Sequence, residues 1–374
     1  MTKSDPENEW IKRRYLTYLK EAGRLSEPSI DQAAAAIDRF ATYNKQRSFK
    51  KFRIEQAVGF KSHLAKQVNP ATGELLSKAT LYATLMALRN FFAWLADKPG
   101  YRSRISFSDA DYFNMSEKET RIAKTRREPR VPTIEQIEYV LSTIPTSTPV
   151  QRRNRALIAM AILSGARDGA LASLKLRHID VEQGFLDQDA RDVRTKFSKT
   201  IATVFFPVSE VARRVVVEWV DELRTDLKWG ADDPLFPATE IEVGEVTRQF
   251  EVTGLQRHCW YTTAPIRRIF REAFVAAGLP YFNPHSFRRT LAILAQRHCR
   301  TIEEFKAWSQ NLGHEGAMTT LTSYGQIPIA RQAELIRKMA DRGGQEHGSP
   351  EWLRQFLDLA DQVRCQRPPN VTCL

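Results

Sequence analysis

The chain has 374 residues, 42% of them hydrophobic, which is enough for two domains that each have a core. Its formal net charge of +12 indicates a polyanionic partner, although a basic surface alone fits many proteins. No apolar run approaches the length of a membrane span and no apolar stretch opens the chain, so we expect a cytoplasmic protein without a secretory signal.

The first hundred residues are predicted to form four helices. Apolar residues recur in them at three- and four-residue spacing, which is the period of an amphipathic helix. Glycine and proline residues mark the breaks between the helices. The predicted helices span residues 10–22, 30–43, 54–65 and 81–94.

Most of the positive charge lies in the first third of the chain. Residues 1–130 hold 25 Lys and Arg against 15 Asp and Glu, whereas the remainder is nearly balanced. A basic cluster falls between the second and third predicted helices and contains Lys45, Arg47, Lys50, Lys51 and Arg53. A solvated charged run is the plain alternative, but the interleaved Phe49 and Phe52 favour a loop that faces DNA.

A charged segment follows the helical part. Residues 115–132 are poor in large apolar side chains and are predicted to be a linker. Arg126 and Arg127 within it either lie along a phosphate backbone or stay solvated. Thr133 and Gln136 then form a capping-box pattern, which predicts that a second domain begins there with a helix.

The second domain is predicted to combine helices with a small sheet. A helix over residues 152–164 ends at Gly165, and Arg167 follows in the turn. Between residues 176 and 207, β-branched and aromatic residues near polar turns predict a small antiparallel sheet. Further helices are predicted over residues 211–227, 265–277, 285–298, 302–312, 329–339 and 352–363. The expected fold class is therefore mainly α with a small antiparallel β-sheet.

Side chains suited to work on a phosphate lie close together in the last third of the sequence. His285 and Arg288 share one face near the start of a predicted helix, where free backbone N–H groups favour an anion. His314 follows a helical run at a glycine, and Tyr324 lies one short helix downstream. A tyrosine hydroxyl is a poor nucleophile at neutral pH unless guanidinium and imidazole groups surround the phosphorus that it attacks. This chain provides both kinds of group.

Taken in order, these motifs resemble those of the tyrosine recombinase (phage integrase) family. The resemblance covers roughly residues 130–330. Each motif alone is weak, whereas all of them in this order are a strong indication. The matching residues are Arg167, Lys196, Lys199, His285, Arg288, His314 and Tyr324. One departure is Ala170, which stands where the family often has a glutamate.

The resemblance implies a site-specific recombinase that cuts and rejoins DNA through a 3′-phosphotyrosyl intermediate, during integration or excision of a mobile element. It implies that Tyr324 is the nucleophile. Arg167 and Arg288 would hold the phosphate, and His285 would accept the tyrosine proton. His314 would hydrogen-bond the phosphate.

The general acid that protonates the leaving 5′ oxygen would be Lys196 or Lys199, and Lys196 is favoured. Neither a metal nor another cofactor is implied. The sequence shows no paired carboxylates with metal spacing, and its four cysteines lack the spacing of zinc ligands or of a disulfide framework.

The resemblance also implies the organisation of the chain and its partners. A helical core-binding domain over residues 1–114 would clamp double-stranded DNA, and the linker over 115–132 would cross it. An α+β integrase-type catalytic domain would span 133–342. A tail helix within 343–374 would link protomers into a tetramer on DNA, in association with the nucleoid. Arg289, beside Arg288, would face DNA or solvent.

Two other functions are compatible with these residues. A type IB topoisomerase-like enzyme would use the same site to relax DNA by acting on one strand at a time. A non-catalytic DNA-binding protein, such as a decayed integrase, would keep the fold without the chemistry. The complete set of motif residues argues against decay.

Overall fold

The computed structural model describes residues 5–70, 72–125, 130–244 and 248–314. The chain divides into two compact units, residues 1–126 and 127–374. Several predicted features lie outside the described residues: Tyr324, Arg126, Arg127, the helix over 329–339 and the tail over 343–374. Across the part of the chain that is described, no helix is both long and apolar enough to cross a membrane.

The first unit is helical, as its periodicity predicts. Its helices are α1 (Pro6–Glu21), α2 (Glu27–Tyr43), α3 (Ile54–Leu64), α4 (Lys78–Ala96), α5 (Phe107–Ala110) and α6 (Glu117–Lys124). The central helix α4 contacts α2, α5 and α6 and is buried along one side. Helix α6 lies within the segment that the sequence predicts as a linker, and it packs on α4 through an ion pair between Lys78 and Glu119.

An aromatic cluster forms the core of the first unit and corrects one interpretation of the sequence. Phe49 and Phe52 are only 1% and 7% exposed, and their rings pack against Phe40 and Phe92. They are core residues and do not face a ligand. The basic side chains around them therefore lie at the surface, while the two aromatic rings between them are buried in the core.

The second unit surrounds helix α8 with the other elements. Its helices are α7 (Ile134–Thr143), α8 (Pro149–Ser164), α9 (Asp168–Leu171), α10 (Glu210–Asp221), α11 (Ala264–Ala276), α12 (Pro284–His298) and α13 (Ile302–Asn311). The C-terminal half of α8 is buried on all sides and contacts α7, α10 and α12. The capping box predicted at Thr133 and Gln136 opens α7. This unit therefore has a hydrophobic core of its own.

Two small antiparallel sheets complete the second unit, and the predicted mixture of helices with a little sheet is confirmed. The first sheet has the order β1 (Ile179–Asp180), β2 (Phe185–Gln188), β3 (Ile201–Val204). The second is a hairpin of β4 (Ala238–Val243) and β5 (Phe250–Gln256), which the sequence analysis did not predict. The loop between β2 and β3 carries Lys196 and Lys199.

Candidate active site

Arg167 lies at the turn between α8 and α9. Gly165 ends α8 with φ of +59°, a left-handed conformation that favours glycine. A Cβ atom on Gly165 would also come within 2.8 Å of the Leu312 side chain, so both backbone and space require glycine there. The Arg167 side chain is half-buried, and burial lowers its pKa.

Arg288 is the most enclosed cation at this turn. Only 6% of the residue is exposed. Its Nη1 donates to the carbonyl oxygen of Gly165 at 2.9 Å, and its Nη2 donates to the carbonyl oxygen of Leu312. Burial, followed by the nearby charge of Arg167, lowers the pKa of Arg288 to about 9. Arg288 therefore joins α12 to the end of α13 and to the turn that presents Arg167.

His285 lies one helical turn before Arg288, at the start of α12. The Asn283 side chain accepts a hydrogen bond from the backbone N–H of Ser286 at 3.1 Å and so caps this helix. His285 is exposed on a cleft of about 450 Å³ that Arg167 and Arg288 also line. Desolvation and the charges of the neighbouring arginines lower the pKa of His285. Both effects favour the neutral form of the imidazole.

A carboxylate beside Arg167 is neutralised by another helix. Asp168 Oδ2 accepts hydrogen bonds from Arg267 Nε at 2.9 Å and from Arg267 Nη2 at 2.8 Å. Arg267 lies on α11 and lines the same cleft. This ion pair leaves the positive charge of Arg167 uncompensated by its neighbour in the sequence. No local pattern identifies Arg267, because its partner is 99 positions away.

His314 reaches the site because α13 ends abruptly. Gly313 has φ of +67°, and a Cβ atom there would lie 2.7 Å from the Ile201 side chain. Backbone N–H groups of Gly313 and His314 donate to the carbonyl oxygens of Gln310 and Ser309, which closes the helix end. Burial, then the charge of Arg288, lowers the pKa of His314 to about 4. His314 is thus neutral and surrounded by cations.

Both candidate lysines lie beside these groups. Lys196 lines a small cavity together with Arg167, Arg288 and the end of α13. Lys199 contributes to the lowered pKa of His314, which places its charge near that imidazole. The structure therefore brings together Arg167, Lys196, Lys199, His285, Arg288 and His314, the predicted catalytic residues that fall within the described ranges.

The predicted DNA-contacting residues are mostly exposed. Lys45, Arg47, Lys51 and Arg53 lie on the surface of the first unit. Lys50 differs, because it pairs with Glu7 and lies over the Tyr101 ring. In the second unit, Arg289 is half-buried in α12, where its charge helps to lower the pKa of His285.

The first unit contains a cleft that was not identified from the sequence. A cleft of about 480 Å³ is lined by Lys45 together with Arg39 from α2 and His63 from α3. Arg39 lies on α2 six residues before Lys45, whereas His63 reaches the cleft because its ring packs on Tyr43. A spacing pattern in α2 alone could not reveal His63.

Replacing His314 by glutamine is expected to make the fold less sensitive to mild acid. The pKa of His314 is about 4 in the folded chain, whereas an unfolded histidine titrates near ~6.5. As the pH falls through this window, the unfolded chain binds the proton first, so the folded state loses stability. His314→Gln should therefore show a smaller fall in melting temperature between neutral and mildly acidic buffer. Replacement of the exposed His258 by glutamine is the control. If the melting temperature fell equally in wild type, His314→Gln and His258→Gln, the lowered pKa of His314 would be contradicted.

Comparisons with a family model and with related sequences all indicate the same protein family. A model described as the phage integrase family matches residues 130–326. The tyrosine recombinase XerC of Lactobacillus delbrueckii subsp. bulgaricus is 22% identical over 67% of this chain and 73% of its own length. A XerC from Escherichia coli is 23% identical over 82% of this chain and 88% of its own.

Solved structures share the fold. A lambda integrase dimer bound to a COC′ core site matches with a TM-score of 0.57 and 14% identity, covering 92% of this chain and 99% of that one. The Tn1549 transposon integrase in complex with transposon right end DNA matches with a TM-score of 0.53 and 15% identity. It covers 88% of this chain and 99% of that one.

Proposed function

Because this chain belongs to the phage integrase family of tyrosine recombinases, which are DNA strand-transferring enzymes, we propose that it cuts and rejoins double-stranded DNA at specific sites. The reaction passes through a 3′-phosphotyrosyl intermediate and serves the integration or excision of a mobile element. The lambda and Tn1549 integrases, which were solved in complex with DNA, support the choice of DNA as the partner.

One observation carries this proposal. Arg167 and Arg288 line both a cleft that His285 shares and a small cavity that Lys196 shares. The charges of both arginines help to lower the pKa values of His285 and His314, and the charge of Lys199 acts on His314 as well. Guanidinium groups stabilise negative charge as it builds on the oxygens of a phosphorus under attack. The neutral imidazoles can accept a proton or a hydrogen bond, which protonated ones could not.

The bond changes follow from these roles. The Tyr324 hydroxyl oxygen attacks phosphorus, the bond from that oxygen to phosphorus forms, and the phosphorus bond to the 5′ oxygen breaks. His285 accepts the tyrosine proton, and the Lys196 ammonium gives a proton to the leaving 5′ oxygen. Arg167 and Arg288 hold the non-bridging oxygens throughout. Attack by a 5′-hydroxyl of the partner strand reverses the step and releases the tyrosine.

A nicked suicide substrate tests the covalent step. The released 5′ fragment diffuses away, so the enzyme stays attached to DNA and migrates as a slow band on a denaturing gel. Adduct should form equally well in EDTA, because the arginines supply the positive charge and the phosphotyrosine bond retains the energy of the phosphodiester. Strict dependence of cleavage on a divalent cation would contradict the mechanism.

The same proposal assigns the basic residues of the first unit to DNA binding. Lys45, Arg47, Lys51 and Arg53 project from the surface and match the negative charge of a phosphate backbone. Arg126, Arg127 and Arg289 are proposed to continue this contact. Lys50 is the weakest member of the set, since its ammonium already pairs with Glu7.

The tail is proposed to link protomers into a tetramer on DNA. Residues 352–363 repeat large apolar side chains on one side of a predicted helix, which would be unfavourable in water. Deleting residues 345–374 should leave single-site binding and cleavage nearly unchanged while cooperative assembly on a full site falls, as measured by mobility shift. Assembly equal to that of the full chain, or aggregation of the shortened chain, would contradict the role.

A further inference from the structure

Arg194, two residues before Lys196, forms hydrogen bonds to two other segments of the second unit. Its Nη1 donates to the carbonyl oxygen of Tyr261 at 2.5 Å, and its Nη2 donates to that of Ala172 at 3.2 Å. The same Nη2 also donates to the carbonyl oxygen of Trp260. One side chain therefore joins the loop between β2 and β3 to the end of α9 and to the segment before α11.

The backbone of Arg194 is held as closely as its side chain. Its N–H donates to Ser173 Oγ at 2.9 Å, and that hydroxyl donates to the carbonyl oxygen of Gly169 at 3.1 Å. A Cβ atom on Gly169 would lie 3.1 Å from the carbonyl oxygen of Arg194. The small residue at 169 thus lets the loop lie directly against α9, the short helix that Arg167 begins.

These contacts connect two predicted catalytic residues by a short path. Lys196 follows Arg194 by two residues, and Arg167 precedes Gly169 by two residues. Lys196 and Arg167 line the same small cavity. Arg191 in the same loop is exposed, as Arg194 is, but its guanidinium pairs with Asp189 within the loop. The contacts of Arg194 are therefore well placed to set the position of Lys196 relative to Arg167.

We propose that Arg194 is a positioning residue for proton donation to the leaving 5′ oxygen. It holds the loop so that the Lys196 ammonium reaches that oxygen while Arg167 holds the phosphate. This inference rests on the proposed function and extends it to a residue whose own guanidinium is occupied by backbone carbonyl oxygens. Arg194 acts through Lys196 and does not touch the reacting atoms.

The chemistry of the leaving group gives a selective test. When the phosphorus–oxygen bond breaks, its electron pair goes to the 5′ oxygen, which takes a proton from Lys196 Nζ and leaves a neutral amine. A 5′ sulfur in the same bridging position departs as a stable thiolate, since a thiol ionises near pH ~8.5. A sulfur leaving group therefore needs no general acid, whereas the contribution of the arginines at phosphorus is still required.

The experiment compares nicked suicide substrates that carry oxygen or sulfur at the bridging 5′ position. Arg194→Ala should cleave the oxygen substrate about 10²-fold more slowly, the loss expected from a displacement of about 1 Å. Its rate on the sulfur substrate should stay close to that of wild type, which also shows that the variant is folded. Arg194→Lys should recover part of the rate on oxygen. Arg191→Ala, in the same loop, is the matched control and should cleave both substrates normally.

Several outcomes would overturn the inference. Equal slowing of Arg194→Ala on both substrates would make Arg194 a general structural residue. Weaker DNA binding with normal cleavage at saturation would make it a phosphate contact. A Lys196→Ala variant that sulfur does not restore would remove Lys196 as the acid, while leaving the covalent step intact. Failure of wild type to form adduct on either substrate would instead contradict the proposed function itself.

Discussion

Tyr324→Phe is expected to bind DNA as tightly as wild type and to form no covalent adduct on a suicide substrate. The substitution removes only the oxygen that is proposed to attack phosphorus and keeps the aromatic ring. Binding is measured by mobility shift, and the adduct is measured on a denaturing gel. Because wild type should convert the nicked substrate almost completely, the expected difference between the two proteins is all or none.

Two other tyrosines provide matched controls. Tyr281 lines the cleft beside Arg167 and His285, and the Arg271 guanidinium lies over its ring. Tyr261 is 84% exposed. Tyr281→Phe and Tyr261→Phe should both keep the adduct, since neither hydroxyl has a role in the mechanism. Adduct formed by Tyr324→Phe, or lost in Tyr281→Phe, would place the nucleophile elsewhere.

Arg167→Ala is expected to slow cleavage by about 10²- to 10³-fold with little change in melting temperature. The rate falls because one donor to the developing negative charge is removed. Stability changes little because no hydrogen bond to the described residues holds the Arg167 guanidinium, which burial already makes less favourable as a cation. Single-turnover cleavage and thermal denaturation measure the two quantities on the same preparation.

Arg288→Ala should lose activity to a similar degree and stability as well. Arg288 is buried and donates to the carbonyl oxygens of Gly165 and Leu312, which its removal leaves without these donors. Each buried group left unsatisfied costs about 1–3 kcal/mol, and about 1 kcal/mol lowers the melting temperature of a domain this large by roughly 2–4 °C. Equal melting temperatures for Arg167→Ala and Arg288→Ala would contradict this distinction.

The periodic parts of the chain were the parts that sequence could predict. Helix α4 repeats apolar residues at helical spacing over a long run, so local sequence and tertiary packing require the same conformation. Thr133 and Gln136 specify the start of α7 through their own side chains. The mixture of helices with a small sheet followed from a change of pattern after residue 176.

What the sequence could not reveal depends on contacts between distant positions. Arg194 binds carbonyl oxygens 22, 66 and 67 positions away, and no local spacing encodes such a set. Phe49 and Phe52 gave the wrong impression, because aromatic rings between basic residues look the same whether they face a ligand or a core. Contacts with Phe40 and Phe92, which lie on α2 and α4, bury these two rings in the core.

The hairpin of β4 and β5 is a different case, because its pattern was present and was missed. Ile241 and Val243 alternate with Glu240 and Glu242, which is the period of a strand. Four of the hairpin's apolar residues, Ile241, Val243, Phe250 and Val252, are half or more exposed. A strand whose apolar side is not buried lacks the core contacts that usually accompany such alternation.

The depressed pKa of Arg288 couples the site to the thermodynamics of the whole fold. Folding desolvates the Arg288 guanidinium beside the charge of Arg167, which lowers the pKa of Arg288, and burial lowers the pKa of Arg167 as well. An anion that binds between them restores a counter-charge to the folded state alone, so its binding free energy adds to the free energy of unfolding. Binding at the proposed site and the thermal stability of the second unit are therefore linked, so the proposed DNA substrate is expected to act as a stabilising ligand.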